Sequence, residues 1–329
     1  MEANGFHHVS VMPEETVEGL VRDPAGTYVD CTLGGAGHAR RIAERLSPEG
    51  RIVGIDRDAE AIAAARERLG EAACRVDIVQ ANFRSLDEVL DGLGIGLVDG
   101  VLFDLGVSSH QIDTAARGFS YMQDAPLDMR MDTGQRLTAY EVVNGYPAAE
   151  LERIFREYGE ERWGKRIAAF IEEARGERPI RTTGELVRII CRAIPKAVRK
   201  TAEGHPAKRV FQAVRIEVND ELSRLGEAIR AAVRRLKPQG RIAVITFHSL
   251  EDRIAKNTLR DLARGCICPP GLPVCVCHHR PELRLLGKAR KPGAEEMLGN
   301  PRAKSAKLRL AEKAEGGRQD AAGSAKNSE

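Results

Sequence analysis

The sequence has no apolar run long enough to cross a bilayer, and its first residues lack the basic-then-apolar layout of a secretory signal. It shows no internal repeat. No glycine-rich turn ends in Gly-Lys-Ser/Thr, which excludes a phosphate-cradling P-loop. The dinucleotide fingerprint G-x-G-x-x-G/A also fails. Counting from Gly35 and Gly37, the sixth position is Arg40, where close helix–strand packing requires a small residue. Seven cysteines, an odd number on a chain without a secretory layout, are expected to be reduced thiols in a cytoplasm.

With 42% apolar and 30% charged residues over 329 positions, the chain has the composition of a soluble globular protein. That length allows one large domain with an insertion or a small second domain. The organising stretch is Tyr28-Val29-Asp30-Cys31-Thr32-Leu33-Gly34-Gly35-Ala36-Gly37-His38, a buried strand entering a glycine turn and then a helix. The next strand, Arg51-Ile52-Val53-Gly54-Ile55-Asp56, ends in an acid that can accept hydrogen bonds from both hydroxyls of a ribose. Asp30, just before the glycines, would repel a pyrophosphate but suits a cofactor with a cationic, amino-acid-bearing end. S-adenosylmethionine fits both features.

Strands at 27–33, 51–56, 76–81 and 100–105 alternate with helices of about ten residues, the signature of βαβ units and a parallel sheet. Ligands of such sheets sit at the carboxyl ends of the strands, where Asp30, Asp56, Phe83 and Asp104 fall. Residues 110–135 are expected to be an irregular but ordered loop, and 138–205 helices only. Apolar residues from Val210 to Leu236 recur at three- and four-residue steps, which predicts one continuous helix over 208–237. A strand should follow at 241–247 and a last one at 306–311. The expected division is a cofactor-binding sheet domain in two parts, 1–137 and 208–311, an inserted helical domain at 138–207, and a disordered tail at 312–329.

Positive charge is concentrated. Between 178 and 216 ten Lys and Arg stand against two acids, and between 280 and 309 nine stand against three. Clustered Lys/Arg is the footprint of a phosphate-backbone partner. Arg199, Lys200, Lys208, Arg209 and Arg215 are the candidate RNA contacts. The aromatics Phe119, Tyr121 and Phe247 could stack a base, although each is equally an ordinary core residue.

Several motifs occur together: His7-His8-Val9-Ser10-Val11, the Asp30–His38 loop, Asp104-Leu105-Gly106-Val107-Ser108-Ser109, Pro126-Leu127-Asp128-Met129-Arg130-Met131-Asp132, Tyr158-Gly159-Glu160-Glu161-Arg162, Phe211-Gln212-Ala213-Val214-Arg215-Ile216 and Phe247-His248-Ser249-Leu250-Glu251-Asp252. From about residue 6 to 311 the chain thereby resembles the ribosomal RNA small subunit methyltransferase H family, the 16S rRNA cytosine-N4 methyltransferases. The resemblance implies an α/β fold, the class I S-adenosylmethionine-dependent methyltransferase fold (Rossmann-like, mostly parallel sheet), with an inserted all-helical domain that helps recognise RNA. It implies a small-ribosomal-subunit partner in the cytoplasm. It places S-adenosylmethionine contacts on Ala36, Gly37, His38, Asp56, Phe83, Asp104 and Gln111, beside Asp30 and Gly35 of the same loop. Ala36 stands where that pattern has glycine, so its φ is expected to be negative.

A cytosine amine is a poor nucleophile because its lone pair is delocalised into the ring. A carboxylate accepting one amine N–H would localise that lone pair and then help remove the proton. Asp104 is the candidate for this, with Ser108 or Ser109 beside it; a role limited to cofactor binding is the alternative. His248, expected at the target-base pocket, is a further catalytic candidate, with a structural hydrogen-bonder as the alternative. Cys266, Cys268, Cys275 and Cys277 could wrap a structural zinc, although C-x-C spacing is tighter than the usual knuckle. Two other readings stay open, a nucleotide-dependent oxidoreductase and a non-catalytic RNA-binding protein. The oligomeric state is open too, a homodimer being one arrangement.

Overall fold

The computed structural model describes residues 10–201, 204–269, 274, 276–277 and 279–315. The His7-His8-Val9 motif, Cys275 and the tail beyond 315 lie outside the described residues. The chain divides into two compact units. A sheet unit comprises Ser10–Asp56, Arg66–Leu105 and the chain from Arg224 onward, and a helical unit includes Arg57–Ala65 and Gly106–Ser223.

The sheet unit contains seven strands: β1 Thr27–Asp30, β2 Arg51–Asp56, β3 Arg75–Gln80, β4 Val98–Asp104, β5 Leu236–Thr246, β6 Leu283–Leu285 and β7 Lys307–Lys313. Their order is β3-β2-β1-β4-β5-β7-β6. The first five are parallel, while β7 pairs antiparallel with β5 and β6 antiparallel with β7. This is the expected Rossmann-like, mostly parallel sheet. Its central strands carry apolar runs because both faces are covered, as at 52–55 in β2 and 100–103 in β4, whereas edge strand β3 is nowhere fully buried. Val29, Val53, Ile55, Phe103 and Val244 meet Ile229 and Val233 in one core. Gly54 of β2 is required there: a Cβ on it would lie 2.6 Å from Cδ2 of Leu33, the residue that leads into the glycine turn.

The helical unit has a core of its own, with Leu151, Phe155, Ile167, Leu186, Ile190 and Val214 among its members. Thr138 and Thr182 start two of its helices as capping boxes with Glu141 and Glu185. Residues 110–135 hold a short helix, Ser109–Asp113, and a 3₁₀ turn, Ala115–Arg117, before an irregular run. That run is pinned by polar groups. The Asn219 amide donates to Met129 O at 2.7 Å, and its carbonyl accepts from Met131 N at 2.8 Å.

The single helix expected over 208–237 is two, Lys208–Asn219 and Leu225–Arg235, broken where Asp220 takes φ 47°. The apolar spacing continues in phase across the break, yet Val210, Val214 and Val218 serve the helical unit's core while Leu225, Ile229 and Val233 serve the sheet's. Periodicity reports burial, not which core a residue is buried in. Strand β5 begins at Leu236 rather than 241, with Gln239 at φ 65° absorbing the Pro-Gln-Gly turn inside it. Strand β7 runs on to Lys313, two residues into the stretch expected to be disordered, and the three-residue β6 was not foreseen.

Candidate cofactor site at the strand tips

Three carboxylates close three neighbouring strands. Asp30 is in register with Gly54 of β2 and Leu102 of β4, so Asp56 and Asp104 each stand two residues further along. The strand order reverses at β1 and β4, the place where an open α/β sheet leaves a crevice for ligand.

Asp30 is 1% exposed. Its Oδ1 accepts from Thr32 N at 3.1 Å and from the Thr32 hydroxyl at 3.4 Å. Burial pushes its carboxyl up to about 7, against the opposing pull of His38. The same Thr32 hydroxyl accepts from Asp104 N at 2.6 Å, so one side chain ties the ends of β1 and β4 together. Thr32 was missed in the sequence. The signal for it is the Asp-x-Thr spacing, in which a carboxylate takes the N–H two residues on.

His38 is 3% exposed and lies between two acceptors. Its Nε2 is 3.0 Å from Val11 O and its Nδ1 is 3.2 Å from Asp104 Oδ2. A carbonyl can only accept, and so can an ionised carboxylate, so the two partners together favour the form of the ring with hydrogen on both nitrogens. Burial opposes that charge, but the Asp104 charge and hydrogen bond, with Asp30 behind them, outweigh it and raise the His38 pKa. The pair leaves a residue of acceptor capacity: Asp104 Oδ1 is buried and has no hydrogen-bond partner among the described residues. A buried carboxylate oxygen without a donor is costly, and its natural complement is a ligand N–H.

The turn between β1 and the helix Gly37–Ala43 is held from β2 and by an arginine. Gly34 N donates to Asp56 Oδ2 at 2.7 Å, and Arg68 Nη1 donates to Gly35 O at 2.6 Å. Ala36 overturns one expectation, for its φ is +59° and not negative. Gly34 is also left-handed, at φ 49°, and Gly37 opens the helix, so the turn is compact enough to need a positive φ at a residue with a methyl group. That costs about 1–2 kcal/mol, the kind of strain that collects at ligand-binding turns. Phe83 lies just past β3 and meets Phe103 edge-on, with ring centroids 5.9 Å apart.

The structure thus brings Asp30, Gly34 to His38, Asp56, Phe83 and Asp104 together in the sheet unit. A group with a positive charge and N–H donors fits three acids and an orphaned carboxylate oxygen, while a phosphate would face them unfavourably.

Ser108 and Gln111 belong to the helical unit. Ser108 caps Ser109–Asp113 in a capping box with Gln111. The Gln111 amide donates to Asp58 Oδ2 at 2.7 Å, and the same oxygen accepts from Arg117 Nη2 at 2.8 Å. Arg117 is itself buried and also bonds Arg130 O and Met131 O, so these groups knit the irregular run together. Of the basic candidates, Lys200, Lys208 and Arg209 are exposed and Arg199 is half-buried. Arg215 is held by both oxygens of Glu221 at 2.8 and 2.9 Å, a structural pair rather than a surface cation. Arg166 and Arg192, from two different helices, both lie over the Phe170 ring at 5.4 and 5.8 Å. Arg166 lies outside the basic run, and helix packing alone brings it to Arg192. Tyr121 stacks on His205 with centroids 4.8 Å apart, and Phe119 is an ordinary core residue.

His248, in the sheet unit, is the N-cap of the helix Ser249–Leu262. Its side chain accepts from Glu251 N, while Glu251 Oε2 accepts from Phe247 N at 2.8 Å. Cys266 and Cys277 bring their sulfurs to 3.8 Å, with Cys268 in the same group.

Residues 5–314 match the MraW methylase family. A Clostridioides difficile protein named ribosomal RNA small subunit methyltransferase H is 54% identical over 309 residues, covering 94% of this chain and 99% of its own. A protein of the same name from Symbiobacterium thermophilum is 53% identical over 315 residues, 95% of this chain and 98% of its own. Among solved structures, an rRNA methylase from Streptococcus thermophilus aligns with a TM-score of 0.39 at 12% identity, covering 92% of this chain and 94% of that one.

Proposed function

The chain belongs to the MraW methylase family, and from that premise we propose that it transfers a methyl group from S-adenosylmethionine to the exocyclic N4 amine of a cytosine in small-subunit (16S) ribosomal RNA. The substrate class follows the name its relatives bear. The observation that carries the chemistry is the buried Oδ1 of Asp104, without a hydrogen-bond partner among the described residues, on a carboxylate whose other oxygen faces His38 Nδ1.

When bound, the cofactor supplies an electrophilic methyl group on a sulfonium. In-line displacement needs alignment above all, so the work of this chain is positioning. Asp56 takes the ribose hydroxyls at the tip of β2, its carboxylate steadied by Gly34 N–H. Asp30, Gly35, Ala36 and Gly37 shape the turn for the amino-acid end, and Phe83 covers the nucleobase. Asp104 Oδ1 accepts one N–H of the target amine, drawing the nitrogen lone pair out of conjugation, and then receives the proton. His38 fixes the rotamer of Asp104 through the Nδ1–Oδ2 contact. His248 serves the fold as a cap, outside this chemistry.

RNA is held by the helical unit, whose exposed Lys200, Lys208 and Arg209 meet phosphates, with Arg199 nearby. Arg166, Arg192 and Phe170 add a face where a guanidinium and a ring lie together, suited to backbone and base contacts. The reaction belongs in the cytoplasm, on the small subunit or its RNA.

The test is transfer from methyl-labelled S-adenosylmethionine to small ribosomal subunits from cells lacking the enzyme, followed by digestion to nucleosides. Label in N4-methylcytidine supports the reading. Label in any other nucleoside, or none, overturns it.

A further inference from the structure

The segment between the helix Ser249–Leu262 and β6 gains little from apolar packing among its described residues. Its neck is closed, since Glu282 N donates to Leu262 O at 2.8 Å. Within the loop so formed, no described residue is buried. Its apolar side chains face outward, with Ile267 56%, Val274 71% and Val276 64% exposed. These described residues add nothing to a core, so ordering them costs entropy without hydrophobic return.

What the loop does bring together is sulfur. The ligand atoms of Cys266, Cys268 and Cys277 lie within 4.8 Å of one another. The Cys266 and Cys277 sulfurs are 3.8 Å apart, well beyond the S–S bond length of about 2.05 Å. For a tetrahedral ion bonded to sulfur at about 2.3 Å, the edge between two ligands is about 3.8 Å. The Cys266–Cys277 spacing matches that edge, and the Cys268 sulfur lies within 4.8 Å of both. Backbone support points the same way: Ile267 N lies 3.5 Å from Cys277 Sγ, an N–H aimed at a sulfur as in thiolate metal sites. An iron–sulfur cluster would hold thiolates on separate irons and therefore further apart.

We propose that Cys266, Cys268 and Cys277 bind one zinc ion as thiolates, a structural site that staples the loop closed above its Leu262–Glu282 neck. Each thiol gives its proton to solvent on binding, and no oxidation is involved. The sequence supplies a further thiol, Cys275, two positions before Cys277, outside the described residues. The site takes no part in methyl transfer, and its failure would leave the proposed reaction untouched.

The experiment is metal analysis of the full chain, expressed without a metal-affinity tag and purified without chelator. The expected result is about one zinc per chain, released stoichiometrically when a mercurial titrates the thiols. Cobalt-substituted protein should show sulfur-to-metal charge-transfer absorption with the intensity of at least three thiolates. The Cys266→Ser/Cys268→Ser variant should lose the zinc while Cys191→Ser, at a half-buried position elsewhere, keeps it. Should the double variant fail to fold, chelation of the wild type decides: hydrogen exchange should rise across 265–280 and return to its starting level when zinc is restored. No zinc in the untagged protein, iron in its place, or a mass showing disulfides among these cysteines would overturn the proposal.

Discussion

Replacing Asp104 with Asn keeps the shape of the side chain and changes one property of the strand tips. In the native site Oδ2 faces His38 Nδ1 at 3.2 Å, and Oδ1 is buried without a partner. An amide has one acceptor and two donors on its two ends. With a hydrogen on Nδ1, the amide oxygen must turn toward His38, and the NH₂ takes the place of Oδ1. The acceptor at the tip becomes a donor. The fold loses only the difference between a charge-assisted and a neutral hydrogen bond, about 1–2 kcal/mol, because the Thr32 tie to Asp104 N is a backbone bond and survives. A loss of that size lowers the melting temperature by a few degrees. The chemistry loses a general base, about 10²–10⁴ in rate or roughly 3–5 kcal/mol in barrier. Single-turnover methyl transfer at saturating cofactor and RNA, with cofactor affinity measured separately by calorimetry, reads the two apart. A rate reduced at least a hundredfold (the low end of that range) with a modest change in affinity is expected. A normal rate with weakened cofactor binding would refute the chemical role of Asp104.

Asp30 should make stability depend on pH. Its folded pKa is raised by burial to about 7 from 3.8, so the stability it contributes is complete below the lower value and lost as pH rises through the upper one. The raised pKa of His38 acts in the same direction above its ordinary range. Asp30→Asn should therefore gain on the wild type in melting temperature between pH 4 and pH 7–8, and parallel curves for the two proteins would count against it. Gly118→Ala should cost about 3 kcal/mol or more: φ is +68° and the new Cβ would meet Pro126 O at 2.3 Å, so chemical denaturation should show a large drop in midpoint. Charge reversal at Lys200, Lys208 and Arg209 should weaken RNA binding and flatten its salt dependence by about 0.7–0.9 for each phosphate no longer neutralised, with cofactor affinity unchanged. Arg215→Gln, by contrast, should lower stability more than RNA affinity, because it strands Glu221; filter binding and thermal melts distinguish the two outcomes.

The sheet was legible because its inner strands carry apolar runs between helices of the right length, and because β1, β2 and β4 each end in an acid at the tip. Asp30, Asp56 and Asp104 converge as expected for that reason. What the sequence hid were relations between distant residues. That Ala36 adopts a left-handed φ depends on how tightly the turn is closed by Asp56 and Arg68. That Asp220 breaks an in-phase apolar pattern depends on two cores competing for one periodicity. Arg215 lay in a basic run and looked like a surface cation, but Glu221, six residues on, claims it. Arg166 lay outside that run and gains its neighbour Arg192 only through helix packing. The placement of His38 needed the carbonyl of Val11 as much as the carboxylate of Asp104, and no local pattern announces such a carbonyl.

The most direct test of the central claim, that the tips of β1, β2 and β4 hold a sulfonium nucleoside, is calorimetric titration of the folded protein with S-adenosylmethionine, with a nicotinamide dinucleotide as control. Saturable heat at one site per chain is expected for the first ligand, strongly weakened by Asp56→Ala, and none for the second. Absence of heat with S-adenosylmethionine, or binding indifferent to Asp56, would contradict it.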